Sequence, residues 1–170
     1  TNAINILDNM DGLAAGVVII AALTLVILTW PSGPSMPLAV LLGGILAATM
    51  FGFWWHNRPP AAIFMGDSGS FFLGFILAAL GVMGEWADSR VVACTIPVLV
   101  LGVPIFDFIY VLFARILRGE TKTLRQVIEH CATDHLSHRL VWLGFTQRGA
   151  VWFVYLMACA LGIAGILLRN

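Results

Sequence analysis

Three short polar stretches of this chain combine residue types able to do chemistry. In the first, Asn2, Asn5, Asp8 and Asp11 recur every third residue ahead of Gly12. Neighbouring members of that series share a helix face with about 60° of drift per step, and a tighter turn would stack all four. Two carboxylates and two carboxamides can hold a cation or a polar ligand there. Helix capping by Asp8 or Asn9 is the plainer use, although a cap needs one such residue and not four. In the second stretch, Gly66-Asp67-Ser68-Gly69-Ser70, two glycines flank Asp67 and Ser68 where an apolar run begins. Glycine lets a backbone approach a phosphate, and a helix N-terminus presents free N–H groups to an anion. Asp67 can ligate Mg²⁺, which takes one or two carboxylates plus phosphate oxygens, or it can simply cap the helix. In the third, His135 and His138 are spaced i, i+3 with Arg139 beside them, a donor cluster suited to a diphosphate. A zinc site competes for that pair, but no Cys or Glu is placed to complete it. His56 and His130, each alone, read as solvated loop histidines. Asp107 lies within an apolar run; facing lipid it would cost about 2.5–3.5 kcal/mol at the bilayer centre. It therefore points into a bundle, toward the polar site or toward an internal partner.

The elements that must position these groups follow from composition. The chain has 170 residues, 60% hydrophobic and 11% charged, with a mean hydropathy of +0.95. Soluble domains carry about 25% charge, so a water-facing domain is excluded, and so is disorder. Nine Lys+Arg balance nine Asp+Glu, leaving no basic surplus for nucleic acid. Cys94, Cys131 and Cys159 form no CxxC and indicate neither a disulfide framework nor a metal cluster. The expected fold is all-α: a polytopic helical membrane protein with about five transmembrane helices in one domain, residues 1–170. The expected spans are about 13–30, 37–55, 70–86, 91–118 and 150–168, each near the roughly 20 residues a bilayer requires. Trp30, Trp54, Trp55 and Trp86 fall at their ends, as interfacial rings do. Residues 31–36 and 87–90 read as tight turns. Pro97 and Pro104 bend the fourth span. Counting from Val91 places Asp107 about 24 Å along it, near the boundary. Gly12/Gly16, Gly43/Gly44, Gly81/Gly84 and Ala158/Gly162 mark close helix packing.

Arg58, Arg115, Arg118, Lys122, Arg125, Arg139 and Arg148 fall on or next to one side of this topology, and only Arg90 and Arg169 on the other. The positive-inside rule then makes segments 1–12, 56–69 and 119–149 cytoplasmic. The chain begins at Thr1, without Met or a charged leader, and reads as a piece of a longer protein.

Four motifs, in order, resemble those of the polyprenyl-phosphate N-acetylhexosamine-1-phosphate transferases, glycosyltransferase family 4. Residues 2–12 are similar to its N-A-x-N-x-x-D-G-x-D-G signature, with Asn9 where glycine is common. Residues 63–70 resemble F-M-G-D-x-G-S, Pro104-Ile-Phe-Asp107 resembles P-[IV]-F-D, and His135-x-x-His138-Arg139-Leu140 resembles H-x-H-H with Ser137 in place of the middle histidine.

The resemblance implies a Mg²⁺-dependent transfer, with Mn²⁺ as the substitute cation. In it, undecaprenyl phosphate attacks the β-phosphorus of a UDP-N-acetylhexosamine and releases UMP. It implies Asp67 and Asp8 as metal ligands, and Asp8, Asp11, His135 and His138 as catalytic residues. Asn2, Asn5, Phe64, Ser68 and Arg139 are the implied substrate-binding residues, with Phe64 stacked on uracil. The D-H-x-S-H-R-L form resembles the undecaprenyl-phosphate N-acetylglucosamine-1-phosphate branch, which starts envelope polysaccharides or teichoic acid linkage units. The peptidoglycan branch carries a longer histidine run. Expected partners are undecaprenyl phosphate, the UDP-sugar, the lipid bilayer, an N-terminal half of the same enzyme and a second copy in a homodimer. The expected location is the bacterial plasma (inner) membrane. The family's earlier Asp-Asp pair is absent from residues 1–170, so this segment alone is expected to be inactive. A membrane transporter, motivated by Asp107, and a non-catalytic scaffold are the alternatives.

Overall fold

In the computed structural model, residues 1–29, 37–117 and 135–169 are described. Trp30, the 31–36 connector, Arg118 and residues 119–134, with Lys122, Arg125, His130 and Cys131, lie outside them. The described residues form helices α1 (Asn2–Leu7), α2 (Leu13–Thr29), α3 (Pro37–Asn57), α4 (Gly66–Met83), α5 (Arg90–Val100), α6 (Gly102–Leu117), α7 (Leu136–Trp142) and α8 (Gln147–Arg169), with no strand among them.

Leu13–Thr29 is apolar on every face, and a helix of that kind seeks a position buried all round. α2 accordingly forms the centre, packed against α3, α4, α5 and α8. Its two threonines bond back within the helix, Thr24 to the Ile20 carbonyl at 2.8 Å and Thr29 to that of Leu25 at 3.0 Å. α3, α4 and α8 are long and apolar enough to cross a membrane, and the α5–α6 pair makes a fourth if counted as one span. α2, with 17 residues, is shorter and equally apolar. Leu38, Leu41, Ile45 and Phe51 on α3 and Trp152, Leu156 and Ile163 on α8 face outward, as lipid-facing residues must.

Two expectations change. The fourth stretch bends, as its prolines imply, and does so sharply: α5 and α6 meet at 77°, broken at Leu101. Pro104 has no N–H to give the carbonyl of Val100, the last residue of α5, so the ladder ends there. A straight-line count from Val91 therefore does not locate Asp107. Trp86 is no interfacial anchor; it folds back on α4, 2% exposed, its Nε1 donating to the Gly81 carbonyl at 2.7 Å.

Small residues do bring helices together. A Cβ on Gly16 would stand 2.2 Å from the Tyr155 ring, whose hydroxyl is held by two bonds. Its hydroxyl donates to the Gly12 carbonyl at 2.5 Å and accepts from Trp54 Nε1 at 2.9 Å. Gly162 likewise receives Thr24, and Gly81 receives Pro97. Gly16→Ala is expected to cost about 1–3 kcal/mol, read as a lower Tm of the detergent-solubilised protein. Gly44→Ala, which meets nothing within 4 Å, should not lower it.

Candidate functional site

The three polar stretches meet at one end of the bundle. α1 lies across α4 and α6, so close to α4 that Gly74 faces the Thr1 backbone, where any Cβ would come within 2.7 Å. This brings Asn5, midway along α1, onto the first turn of α4. Asn5 Nδ2 donates to Asp67 Oδ1 at 2.9 Å and to Ser70 Oγ at 3.0 Å. Ser70 is fully buried and donates in turn to the Gly66 and Asp67 carbonyls. Asp67 remains exposed on the helix start, which Gly66 opens with a φ of 67°.

The period-three series does not continue as one helix. α1 stops at Leu7, and Asp8 to Gly12 form a turn that ends on Gly12, whose φ of 77° suits glycine. Asp8 and Asp11 therefore leave the α1 face and point to different neighbours. Burial, and then the negative charge of Asp67, push the Asp8 carboxyl up to about 6. Asp11 Oδ2 instead accepts the Ala61 N–H at 3.0 Å, which fixes the 58–62 loop beneath the turn.

Asn57 is the residue that spacing did not single out. It is 3% exposed; its Oδ1 accepts the Gly12 N–H at 3.0 Å and its Nδ2 donates to the Ile63 carbonyl at 2.8 Å. One amide thus ties the Asp8–Gly12 turn to the segment carrying Phe64. A polar residue closing an otherwise apolar helix was the available signal. Phe64 itself is 76% exposed, a flat ring without cover among the described residues.

α7 completes the cluster. Ser137 Oγ donates to Asn9 Oδ1 at 2.6 Å, joining it to the first turn across 128 residues. Asp107, 0% exposed on α6, receives the Leu136 N–H on Oδ1 at 2.7 Å and faces His135 Nδ1 through Oδ2 at 3.2 Å. The open alternatives for Asp107 thereby converge: its internal partner is the histidine helix of the site. His135 occupies the position before α7 without a side-chain bond to its first turn, and its ring lies 6.3 Å from that of His138. Burial first, then the His135 charge, lower the His138 pKa, with Asp107 opposing. His138 joins Asn9, Asp11 and Pro59 around a cavity of about 130 Å³. Arg139 stacks over Tyr110 at 4.8 Å, and its buried Nε has no partner among the described residues. That N–H is a donor available to an anion.

Of the expected site residues, Asn5, Asp8 and Asp67 come together, Asp11 and His138 line one cavity, and the Ser137–Asn9 bond ties the helix of His138 and Arg139, which His135 precedes, to the turn that carries Asp8 and Asp11. Asn2 stands on the first turn of α1, and Ser68 is exposed on α4 while Ser70 makes the contact with Asn5. No three His, Cys, Asp or Glu side chains converge as a metal cage among the described residues. Asp8 lies close enough to Asp67 for the negative charge of Asp67 to act on it.

The sequence profile described as glycosyl transferase family 4 matches residues 1–85. The chain is 36% identical over 170 residues to a probable undecaprenyl-phosphate N-acetylglucosaminyl 1-phosphate transferase of Bacillus subtilis (strain 168), covering all of this chain and 45% of that protein. It is 34% identical over 189 residues to a decaprenyl-phosphate N-acetylglucosaminephosphotransferase of Mycobacterium leprae, covering 99% and 46%. It is 30% identical over 170 residues to a phospho-N-acetylmuramoyl-pentapeptide-transferase of Chlamydia muridarum, covering 98% and 47%. The chain spans about half the length of the curated relatives it matches.

Proposed function

Because this chain belongs to glycosyl transferase family 4, we propose that the full-length protein moves N-acetylhexosamine 1-phosphate from a UDP-sugar to undecaprenyl phosphate. N-Acetylglucosamine is the sugar we favour, since the two relatives that match nearly the whole of this chain at 36% and 34% identity are named for it. The observation that carries the reading is the bond from Asn5 to Asp67, made across 62 residues with Asp8 close enough to feel the Asp67 charge. It brings two acids of separate segments to one spot, and the Ser137–Asn9 bond joins the third stretch to the turn that carries one of them.

That donor set fits Mg²⁺, which needs one or two carboxylates when phosphate oxygens and water complete its shell. Asp8 and Asp67 would hold the ion, and its contribution would be to neutralise the charge of the diphosphate. The chain's own residues do the positioning, the main requirement of phosphoryl transfer. Asn5 fixes the Asp67 carboxylate, and Asn57 fixes the loop that presents the Phe64 ring to uracil. His138, neutral at pH 7, offers one donor and one acceptor beside Asp11. His135, oriented by Asp107, and the free Arg139 N–H offer donors to diphosphate oxygens. A lipid phosphate oxygen forms the new bond to the β-phosphorus, the bridging bond to the α-phosphate breaks, and UMP leaves with its electron pair. We place this end of the bundle at the cytoplasmic face of a bacterial plasma membrane, following its surplus of Arg and Lys.

The full-length protein, reconstituted with undecaprenyl phosphate, UDP-N-acetylglucosamine and Mg²⁺, should release UMP and form a lipid-linked diphosphosugar. Release from UDP-N-acetylmuramoyl-pentapeptide alone would move it to the peptidoglycan branch. Release from neither would refute the activity.

A second expectation concerns pH. Asp8 is raised from 3.8 to about 6 in the fold, so its contribution to stability is full below its unfolded value and is lost as pH rises through about 6. Above that, two adjacent carboxylates repel until a cation joins them. Mg²⁺ should therefore raise Tm at pH 7.5 and do so little at pH 5. An equal shift at both values would remove Asp8 from the cation site.

A further inference from the structure

A basic cavity of about 390 Å³ opens beside the site, at the adjoining ends of α3 and α8. It shares Pro59 with the smaller cavity that holds Asp11 and His138, but none of the residues proposed for transfer lines it. Its walls carry Trp55, His56, Arg58 and Arg148, and no Asp or Glu. The Arg58 guanidinium carbon lies over the Trp55 ring, 3.8 Å from its centroid. Arg148 spends one donor on the Pro59 carbonyl at 3.3 Å. Both arginines are exposed and neither pairs with an acid among the described residues. Two guanidinium forks around one cavity suit a phosphate.

The cavity does not stop at its basic mouth. A second space of about 200 Å³ shares Arg58, Pro59 and Arg148 and runs on along Trp54, Val151, Trp152 and Tyr155. Those residues belong to two helices long and apolar enough to span a bilayer, and Trp55 and Trp152 face outward. Arginine and tryptophan together at such helix ends mark the level of lipid headgroups. A free anion would use the mouth and leave the aromatic wall idle.

We propose that this cleft between α3 and α8 binds an anionic phospholipid, its phosphate between Arg58 and Arg148 and its first acyl carbons along Val151 and Trp152. The occupant is a membrane lipid distinct from the lipid substrate. Because the 58–62 loop also supplies the Ala61 N–H held by Asp11, an occupied cleft would steady one wall of the neighbouring site.

Native mass spectrometry of the full-length protein in detergent tests this without any turnover, so it stands or falls apart from the transferase reading. Offered phosphatidylglycerol and phosphatidylcholine in equal amounts, the protein should retain the anionic lipid by about tenfold or more, as two interfacial arginines warrant. The Arg58→Gln/Arg148→Gln protein should retain the two equally, and Trp152→Ala should weaken retention with the arginines intact. Both arginines are exposed, so folding is expected to survive, and Arg148→Gln alone should halve the preference or better. Three results would overturn the proposal. One is an undiminished preference in the double variant. Another is complete displacement of the lipid by millimolar inorganic phosphate, which would make the cleft a site for the free ion. The third is arginine-dependent retention of undecaprenyl phosphate with none of phosphatidylglycerol, which would assign the cleft to the substrate.

Discussion

Asp67→Asn in the full-length protein is expected to lower UMP release by about 10²- to 10³-fold, the scale on which removing one preorganised charge-stabilising group acts. The side chain is exposed on the first turn of α4 and held by Asn5, so its removal leaves the bundle intact and Tm nearly unchanged. On the proposed reading, what it removes is one of the two negative charges that would face a cation. The same substitution withdraws the lesser of the two causes that raise Asp8, so the Asp8 carboxyl should titrate lower in the variant. Undiminished Mg²⁺-dependent release would defeat the assignment of Asp67 as a ligand, whatever the fate of Asp8.

Asp107→Ala should do damage of a different kind. Its carboxylate is fully buried and both oxygens are engaged by the start of α7, one by the Leu136 N–H and one by His135. Removing one partner of such a buried pair costs about 3–5 kcal/mol, because the groups left behind have lost their solvent as well as their partner. A lower Tm is therefore expected with the loss of transfer. Asp107→Asn separates the two effects. Its carbonyl can still receive the Leu136 N–H, but its amide cannot accept from His135 Nδ1 and forces the other tautomer on the ring. That variant should keep most of its Tm while transfer falls by about 10- to 100-fold, the range for carboxylates that orient a functional histidine. Transfer at the parent rate in Asp107→Asn would make the carboxylate a structural clasp only.

Where helices lie was legible in this sequence because apolar runs without charge have few alternatives. α3, α4 and α8 begin and end within a few residues of their expected limits. How the runs break and pair was not. The break at Leu101 depends on which carbonyl Pro104 leaves unbonded, and two prolines in one run do not say which will dominate. Trp86 had the position of an interfacial ring, yet Gly84 gives it room to fold inward. The candidate site was legible as three sets of residue types, each beside an apolar run. Its assembly rests on bonds across 28, 62 and 128 residues, from Asp107 to His135, Asn5 to Asp67 and Asn9 to Ser137. No local spacing encodes such partners. Asn57 and Ser70 were invisible for the same reason, since their value lies in what they touch. The period-three acids misled in part, because Gly12 lets the chain turn before the series is complete.

On the proposed reading, the turn after α1, the Phe64–Asp67 segment and the start of α7 together receive the nucleotide end of one substrate. Photo-crosslinking the full-length protein with a UDP-sugar carrying an azide on uracil, followed by peptide mapping, asks this directly. Label is expected on the peptide that contains Phe64, with lesser label on residues 1–12, and it should be lost in competition with unlabelled UDP-sugar. Competable label confined to the opposite pole, where Glu85, Trp86, Asp88 and Arg169 line the surface, would contradict it.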